Sequence, residues 1–307
     1  MSGSTPHARL PSAHSGLEVS VIIPCGRPER AIPTLESLAH QTYTGAYEVF
    51  TVGQGVSALD GRFPFLRTID SPTPLNPAEA RNRGARAARG AFLLFIDDDC
   101  QAEPDWIERN VAELDADPRV GAVGGRINGA SGRFMARCTD IGNFWLQLGP
   151  RRKVEMPSLF SASLAIRRDL FEQLGGFDER LAVREDTDLV RRARQIGHAS
   201  LYEPAIRIRH DHRRSTFGAF LRYQYANGLG AGLTVEMNEP TASRVTRLRV
   251  ACRRCYALLI LPLAAGQTVQ VGLGCRHLGL KLLPMLPVVF IGYIAFHVGV
   301  WRRLQCR

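Results

Sequence analysis

The 307-residue sequence has no long apolar run near its first residue, and its cysteines form no repeated pairs. Residues 1–17 are rich in Ser, Pro, His and Gly, so we expect a flexible tail there and no signal peptide. The seven cysteines are odd in number and widely spaced, unlike a secreted disulfide framework. Cys252 and Cys255 make one CxxC pair without the second pair that a zinc site needs. We therefore expect a reducing, cytoplasmic setting.

Lysine is scarce, because Arg supplies nearly all of the 39 basic residues. These residues outnumber the 29 acidic ones and give a net charge of +10. Such an excess suits nucleic acid, anionic lipid or phosphate-bearing substrates, and the Arg guanidinium binds phosphate in a fork geometry. The sequence has no basic motif interleaved with aromatic residues, so we do not expect a nucleic-acid partner. Its 45% hydrophobic content excludes a disordered chain.

Two long segments toward the other end carry no charge, residues 256–274 and 282–301. Each is close to the roughly 20 residues that cross a bilayer, and the second is the stronger candidate. The flanks of the two segments are basic (Arg253, Arg254, Arg302, Arg303 and Arg307). Placing those flanks inside predicts a membrane hairpin with the rest of the chain in the cytoplasm, although Arg276 and Lys281 in the connecting loop count against that orientation. The alternative is a buried helical pair in a soluble protein.

Between the tail and these segments, short apolar runs alternate with helical patterns. Strands are predicted at residues 18–24, 47–52, 65–69, 91–96 and 120–123, and helices at residues 32–40, 76–89 and 104–114. The second helix opens with Asn76 as its cap, Pro77 in its first turn and Glu79 three residues after the cap. The alternation predicts an α/β fold with a doubly wound, mostly parallel sheet.

Three adjacent carboxylates, Asp97, Asp98 and Asp99, follow the strand at residues 91–96. Like charges at the end of a buried strand repel one another unless a cation or water compensates them. In open α/β sheets ligands bind at the carboxyl ends of the strands, where carboxylates and phosphate oxygens together hold a hard divalent cation. The residues alone leave two interpretations open, a divalent-cation site or a solvated acidic turn.

Four segments occur in an order that resembles the family 2 glycosyltransferases: EVSVIIP, ARNRGARAARGAFLLFIDDDC, LGGFDE and REDTDLVRRARQIG. The resemblance covers residues 18–215 and implies a Rossmann-like GT-A domain over that range. Residues 216–250 are then expected to form linking or interfacial helices. Residues 251–307 are expected to form a helical, membrane-associated appendage.

The resemblance also implies roles for individual residues. Asp97 and Asp99 match the positions that hold Mg²⁺ or Mn²⁺ together with the donor's ribose and pyrophosphate. Asp186 matches the catalytic base of an inverting enzyme, whose carboxylate takes the proton of the acceptor hydroxyl. The residues expected to bind the donor are Pro24, Arg27, Arg81, Asn82, Asp97 and Asp98, and those expected on the acceptor side are Gly176, Phe177, Asp178 and Glu185.

A cluster of His and Arg follows the apolar residues 205–208. The resemblance implies that His210 completes the metal site, and neutral imidazole is a reasonable ligand for Mn²⁺. His212 and Arg213 stay open between the same role and a surface position. The charged residues after the catalytic Asp are expected to form a solvated helix face (Asp188, Arg191, Arg192 and Arg194).

One segment departs from the family. Its members usually carry an acidic segment after the second strand, where an Asp reads the nucleotide base. Here residues 52–57 read VGQGVS, and the next acid is Asp60. Base recognition must therefore differ, and the resemblance does not choose among UDP, GDP and dTDP donors. Cys100 also stands where a further acid is common.

The expected function is inverting, metal-dependent transfer of a sugar from a nucleotide-sugar donor to an acceptor hydroxyl. The apolar segments favour a cell-envelope glycan, a glycolipid or a polyprenyl-linked acceptor, handled at the cell membrane by a domain that faces the cytoplasm. One alternative is a non-catalytic nucleotide-sugar-binding subunit of a membrane glycan-assembly complex, which the missing acid favours. Another is a metal-dependent nucleotidyl or phosphoryl transferase, which would share the carboxylate cluster.

Overall fold

The computed structural model describes residues 18–148, 151–237 and 256–305. The predicted tail, the CxxC pair and the basic residues Arg253, Arg254 and Arg307 lie outside this range. The strands are β1 (Val19–Cys25), β2 (Tyr47–Gly53), β3 (Leu66–Asp70), β4 (Phe92–Ile96), β5 (Cys100–Ala102), β6 (Val120–Gly129), β7 (Val154–Glu155), β8 (Ser163–Arg167) and β9 (Ala199–His210). The helices are α1 (Pro28–Ala39), α2 (Pro77–Ala87), α3 (Trp106–Ala116), α4 (Phe134–Leu148), α5 (Arg168–Gln173), α6 (Glu185–Gln195), α7 (Phe217–Met237), α8 (Tyr256–Gly274) and α9 (Leu286–Gln305).

The nine strands form one mixed sheet in the order β3-β2-β1-β4-β8-β6-β9-β5, with β7 paired to β9. Strands β1 to β4 run parallel, as the continuous apolar sequences of β1 and β4 predict. Strand β8 runs antiparallel to both β4 and β6, and β5 and β7 run antiparallel to β9. The predicted α/β fold is confirmed. Parallel pairing is confined to the first four strands and to β6 with β9.

Helix α2 begins as its sequence predicts. Asn76 Oδ1 accepts from the Glu79 backbone N–H at 2.9 Å, and Glu79 Oε2 accepts from the Asn76 N–H at 2.9 Å. This reciprocal capping box satisfies two backbone donors that the helix itself leaves without partners. The helix ends at Ala87, two residues before the predicted end, because Ala88 is already extended.

Helix α6 corrects the expectation of a solvated charged face for Asp188, Arg191 and Arg192, whereas Arg194 is exposed as expected. Asp188 is only 2% exposed, and it pairs with Arg191 at 2.6 Å and Arg192 at 2.8 Å. Arg192 also donates to the backbone carbonyl oxygens of Leu174 and Gly176. The prediction was wrong because the arginines neutralise Asp188, so this side of α6 packs on the loop after α5.

The C-terminal helices pack on the α/β domain on one side and expose apolar residues on the other. Tyr293 of α9 donates to the Gly142 carbonyl oxygen of α4 at 3.1 Å. On α7, Gly228 lets α9 approach so closely that a Cβ there would lie 1.9 Å from the Phe296 carbonyl oxygen. Helix α8 and the stretch Arg276–Gln305 are long and apolar enough to cross a membrane.

Helix α8 has one strongly exposed apolar face. Leu258, Leu261, Val269 and Leu273 are at least 60% exposed, and their spacing places them on one side of the helix. Tyr256 and Ala264 on the other side are buried. Exposed apolar surface of this extent is unusual for the core helix of a soluble protein. It favours membrane association over the buried helical pair.

Candidate active site

Most of the residues singled out from the sequence line one cavity of about 680 Å³ at the carboxyl ends of the strands. Strand β1 supplies Pro24, the segment after β4 supplies the three aspartates, and β9 supplies His210. The first turn of α6 supplies Glu185 and Asp186. The opposite wall consists of α4, α7, α8 and α9 and is lined by Asn143, Phe144, Trp145, Tyr223, Gln224, Asn227, Gln267, Tyr293 and Phe296.

The three aspartates after β4 turn to different partners, which separates their charges. The partners are the Arg81 guanidinium for Asp97 at 2.7 Å, the Gly26 N–H for Asp98 at 3.0 Å, and the His210 Nε2 for Asp99 at 3.0 Å. Burial, together with the neighbouring charge of Asp99, raises the pKa of Asp98 to about 6. The three aspartates therefore form an ordered cluster in which each has a specific partner, rather than a solvated turn.

Strand β9 carries His210 to this cluster. Ile206, Ile208 and His210 alternate along the strand on its buried face, so the imidazole continues an apolar row into the cavity. Burial opposes ionisation of Asp99, but the hydrogen bond and charge of His210, together with the charges of Arg214 and Arg30, outweigh burial and hold the pKa of that carboxyl below its usual range. Asp99, Cys100 and His210 bring their ligand atoms within 4.8 Å of one another.

The chemistry of these groups fits a divalent cation. Burial raises the pKa of the Cys100 thiol well above its usual value, so Cys100 stays protonated and is a poor ligand. Asp99 and His210 offer a carboxylate oxygen and an imidazole nitrogen, and Asp97 lines the same part of the cavity. Carboxylate oxygens with one imidazole suit Mn²⁺, and carboxylates suit Mg²⁺.

Arg81 joins the aspartate cluster to the first turn of α6. Its guanidinium is 3% exposed and contacts Asp97 at 2.7 Å and Glu185 at 2.6 Å. Burial, with the nearby charge of Asp186, raises the pKa of Glu185 to about 7 although Arg81 opposes that shift. Arg81 thereby fixes Asp97, one of the candidate metal-binding carboxylates, relative to α6.

Asp186 is held in place by hydrogen bonds from two segments. Its Oδ2 accepts from the Ser161 backbone N–H at 3.0 Å, and its Oδ1 accepts from the Thr187 N–H at 2.6 Å. The N-terminus of α6 also favours a negative charge at this position. The carboxylate is 8% exposed and lines the cavity across from the aspartate cluster. This geometry suits a positioned base.

Comparisons with known proteins agree with the family resemblance of the sequence. Residues 20–175, half of the chain, match the model of the family described as glycosyl transferase family 2. The chain belongs to this family.

The chain is 28% identical over 257 residues to the pre-mycofactocin glycosyltransferase of Mycobacterium tuberculosis, a match that covers 80% of this chain and 53% of that protein. It thus spans about half the length of that relative. It is 27% identical to glycosyltransferase AglE of Haloferax volcanii, with 79% of each chain covered. Its fold is similar to that of the mannosyltransferase PcManGT from Pyrobaculum calidifontis in complex with GDP-Man and Mn²⁺ (TM-score 0.61, 17% identity), with 92% and 86% of the two chains covered.

Some of the predicted site residues lie behind the cavity wall. The Asn82 side chain donates to the Phe177 carbonyl oxygen and accepts from the Phe177 N–H, both at 2.9 Å. Gly176 has a φ of 77° and packs so tightly on Asn82 that a Cβ would lie 2.7 Å from its Oδ1. Asp178 pairs with Arg180. These residues brace α2 against the loop before α6 and do not line the cavity.

The structure separates the three residues of the His-Arg cluster. His212 is buried and lies 3.0 Å from Asp140, so it does not face the aspartate cluster. Arg213 is exposed, and its nearest acid is Asp211 at 3.8 Å. Of the three, only His210 joins the candidate metal residues.

An acid does stand beside the loop after β2, although not where the family usually has it. Asp70, the last residue of β3, accepts from the Gly55 N–H at 2.7 Å and from the Ser57 hydroxyl at 2.8 Å. These bonds lower the pKa of Asp70. The parallel pairing of β2 and β3, which sets Asp70 opposite Gly53, is the structural signal that locates it.

Sequence reasoning assigned no role to five polar residues that line the cavity, Arg184, Arg214, Tyr223, Gln224 and Asn227. Arg184 is the first residue of the segment REDTDLVRRARQIG and Arg214 ends the His-Arg cluster, but nothing in the local pattern distinguishes either from a surface residue. The other three lie on α7, and their placement depends on the packing of α7 against α4 and α9.

Proposed function

We propose that the enzyme transfers a sugar from a nucleotide-sugar donor to an acceptor hydroxyl, with inversion at the anomeric carbon, and that it requires Mn²⁺ or Mg²⁺. The observation that supports this most strongly is that the Asp99–His210 pair and the anchored Asp186 line one cavity. Arg81 connects the two sides of that cavity, because it pairs with both Asp97 and Glu185. Family membership supports the donor class, and the similar fold of a mannosyltransferase bound to GDP-Man and Mn²⁺ supports the metal.

Asp97, Asp99 and His210 would hold the cation, which when bound neutralises the charge of the departing diphosphate. Arg27 and Pro24 line the β1 side of the cavity and would contact the donor. Asp186 takes the proton of the acceptor hydroxyl from the opposite side. A single base facing the leaving group gives inversion, because the acceptor attacks the anomeric carbon from the side opposite the bond that breaks.

The acceptor is proposed to be a membrane-bound substrate, either a cell-envelope glycan or a lipid- or polyprenyl-linked sugar. Support comes from the helical wall, since α8 and α9 contribute Gln267, Tyr293 and Phe296 to the cavity while the other side of α8 is apolar and exposed. We place the domain on the cytoplasmic side of the cell membrane, where nucleotide sugars are made. The domain boundaries proposed above, residues 18–215 and 251–307, agree with this arrangement.

Substituting Asp186→Asn tests the proposal. We expect sugar transfer to fall by about 10²-fold or more, because the amide cannot accept the proton, while binding of the nucleoside diphosphate with Mn²⁺ changes little. Asp115→Asn, at an exposed carboxylate, is the matched control. Unchanged turnover in Asp186→Asn would contradict the assignment of the base. Donor binding without any transfer by the wild type would favour a binding subunit, and release of free pyrophosphate would indicate nucleotidyl transfer.

A further inference from the structure

Five arginines line the cavity, and they come from different parts of the fold. Arg81 is paired with Asp97 and Glu185. Arg27 and Arg30 follow β1, on the side where the donor is proposed to bind. The other two, Arg184 and Arg214, come from the segments around α6 and β9. Neither forms an ion pair among the residues that the structure describes.

Arg184 has an unusual backbone conformation at the N-cap of α6. Its φ is 68°, a left-handed value that is uncommon for a residue with a side chain and that often marks a functional position. The loop is fixed against α7, where a Cβ on Gly230 would lie 2.3 Å from Val183. Within the described chain the Arg184 Nε is buried without a hydrogen-bond partner, and burial lowers the pKa of this guanidinium. A buried cation without a partner is costly unless an anion joins it.

Arg214 lines the same cavity and packs on Tyr223. Its guanidinium carbon lies 4.0 Å from the centre of the Tyr223 ring, which fixes the side chain by a cation–π contact. The Arg214 Nη1 is also buried without a hydrogen-bond partner in the described part of the chain. Tyr223 interacts electrostatically with both Arg184 and Arg214.

The surface beyond these arginines is aromatic. Trp145 of α4 and Tyr293 and Phe296 of α9 continue the same cavity toward the exposed apolar helix α8. Gln224 lies between them, 2% exposed, and its Nε2 has no hydrogen-bond partner among the described residues. Two cations followed by aromatic rings match a ligand with an anionic head and a hydrocarbon tail.

The position of Arg184 decides which ligand this anion belongs to. Arg184 lies two residues before Asp186, the proposed base, and in-line displacement places the acceptor there, opposite the departing diphosphate. The donor diphosphate already has the candidate metal residues together with Arg27 and Arg30. Arg184, near the base, is therefore available to the acceptor. Arg214 shares Tyr223 with Arg184, and its charge also reaches Asp99 and His210, so it lies between the base and the candidate metal residues.

We propose that Arg184 and Arg214 form a second anion subsite, which binds the phosphate group of a lipid carrier on which the acceptor is presented. This inference rests on the proposed function, because it identifies the carrier with the acceptor of that reaction. Its chemistry excludes a neutral glycolipid as the preferred substrate. The fork of each guanidinium suits phosphate oxygens.

The test uses the full-length enzyme in detergent micelles, saturated with Mn²⁺ and with whichever of UDP, GDP or dTDP binds it. Farnesyl phosphate is the probe, and farnesol is the matched probe without the phosphate. We expect farnesyl phosphate to bind alongside the nucleotide and much more tightly than farnesol. Arg184→Gln and Arg214→Gln should each weaken farnesyl phosphate binding by about tenfold or more, with nucleotide affinity within about twofold of wild type. Arg180→Gln and Arg213→Gln, at exposed arginines next to the two sites, should change neither affinity.

The other outcomes overturn the inference. A parallel loss of nucleotide affinity would assign the two arginines to the donor, and equal binding of farnesol would remove the anion from the recognition. Competition by inorganic phosphate at the same concentration as farnesyl phosphate would show a site for free phosphate rather than for a lipid carrier. Retained nucleotide binding shows that each variant is folded. If the wild type binds nucleotide but not farnesyl phosphate, this inference fails alone, whereas a wild type that binds neither contradicts the proposed function as well.

Discussion

At the scale of single residues, the positive charge of Arg81 compensates two carboxylates that line the cavity. Its guanidinium is buried between Asp97 and Glu185, and both contacts are shorter than 3 Å. Removing the cation would leave two carboxylates in a poorly hydrated position with no compensating charge. The arrangement therefore contributes to stability as well as to the geometry of the site.

We expect Arg81→Gln to lower the free energy of unfolding by about 3 kcal/mol, because a buried ion pair that loses one partner leaves an uncompensated charge. Urea unfolding followed by circular dichroism measures this change. Arg86→Gln is the control on the same helix, since its side chain is 65% exposed and its nearest acid, Glu179, is 3.7 Å away. An Arg81→Gln variant as stable as the control would show that the contacts are energetically neutral.

The sequence predicted the acidic residues of the candidate site better than the basic ones. Asp97, Asp99 and Asp186 lie within motifs whose order indicates their role, and the structure places all three on one cavity. Arg184 begins the same motif as Asp186 and Arg214 ends the His-Arg cluster, but no role for either arginine was predicted from the sequence, because only the packing around α7 shows that they line the cavity. The catalytic and metal-binding roles themselves are still predictions.

At the scale of the elements, the two helix caps Asn76 and Asp105 differ in a measurable way. Asn76 accepts from the Glu79 N–H at the start of α2, whereas Asp105 at the start of α3 makes no cap hydrogen bond with its side chain. Asn76→Ala should therefore lower the free energy of unfolding by about 1 kcal/mol, and Asp105→Ala by clearly less. Thermal unfolding of the two variants provides the comparison. Equal losses would mean that the capping box adds nothing to α2.

The contact between α7 and α9 depends on glycine. Gly228→Ala would place a Cβ 1.9 Å from the Phe296 carbonyl oxygen, so the helices must separate. We expect a lower melting temperature and reduced transfer activity, because α7 and α9 both line the cavity. In Gly218→Ala, on the same helix, the Cβ meets only the end of the flexible Arg222 side chain at 3.4 Å, and that control should behave like the wild type. Normal activity and stability in Gly228→Ala would contradict the close packing.

Strands β1, β2 and β4 fall within two residues of the predicted ranges, because parallel strands buried on both faces give largely apolar runs. Strand β3 was also predicted within two residues, although its residues are only partly buried or exposed. Strands β5 and β7 have three and two residues, too few to show a period. The predicted run at residues 205–208 proved to be part of the twelve-residue β9, whose alternating burial is interrupted at its centre.

At the scale of the whole molecule, the exposed face of α8 predicts how the enzyme meets a membrane. Replacing Leu258, Leu261 and Val269 together by Asn removes apolar side chains that are at least 60% exposed, so the fold should change little. We expect the ratio of membrane-bound to soluble enzyme to fall at least about tenfold, since each side chain loses its transfer energy into lipid. Sedimentation with cell membranes measures the ratio, and Gln270→Ala on the same helix is the control. Undiminished sedimentation of a folded triple variant would show that α8 is not the membrane contact.

The proposed reaction requires that a nucleotide sugar and a divalent cation bind together in the cavity. The most direct measurement is the thermal stability of the purified enzyme with each common nucleotide sugar, with and without Mn²⁺ or Mg²⁺. We predict that one donor stabilises the enzyme only when the cation is present, and that Asp99→Ala abolishes this effect while Asp105→Asn retains it. A folded enzyme that no donor stabilises with either cation would contradict the account.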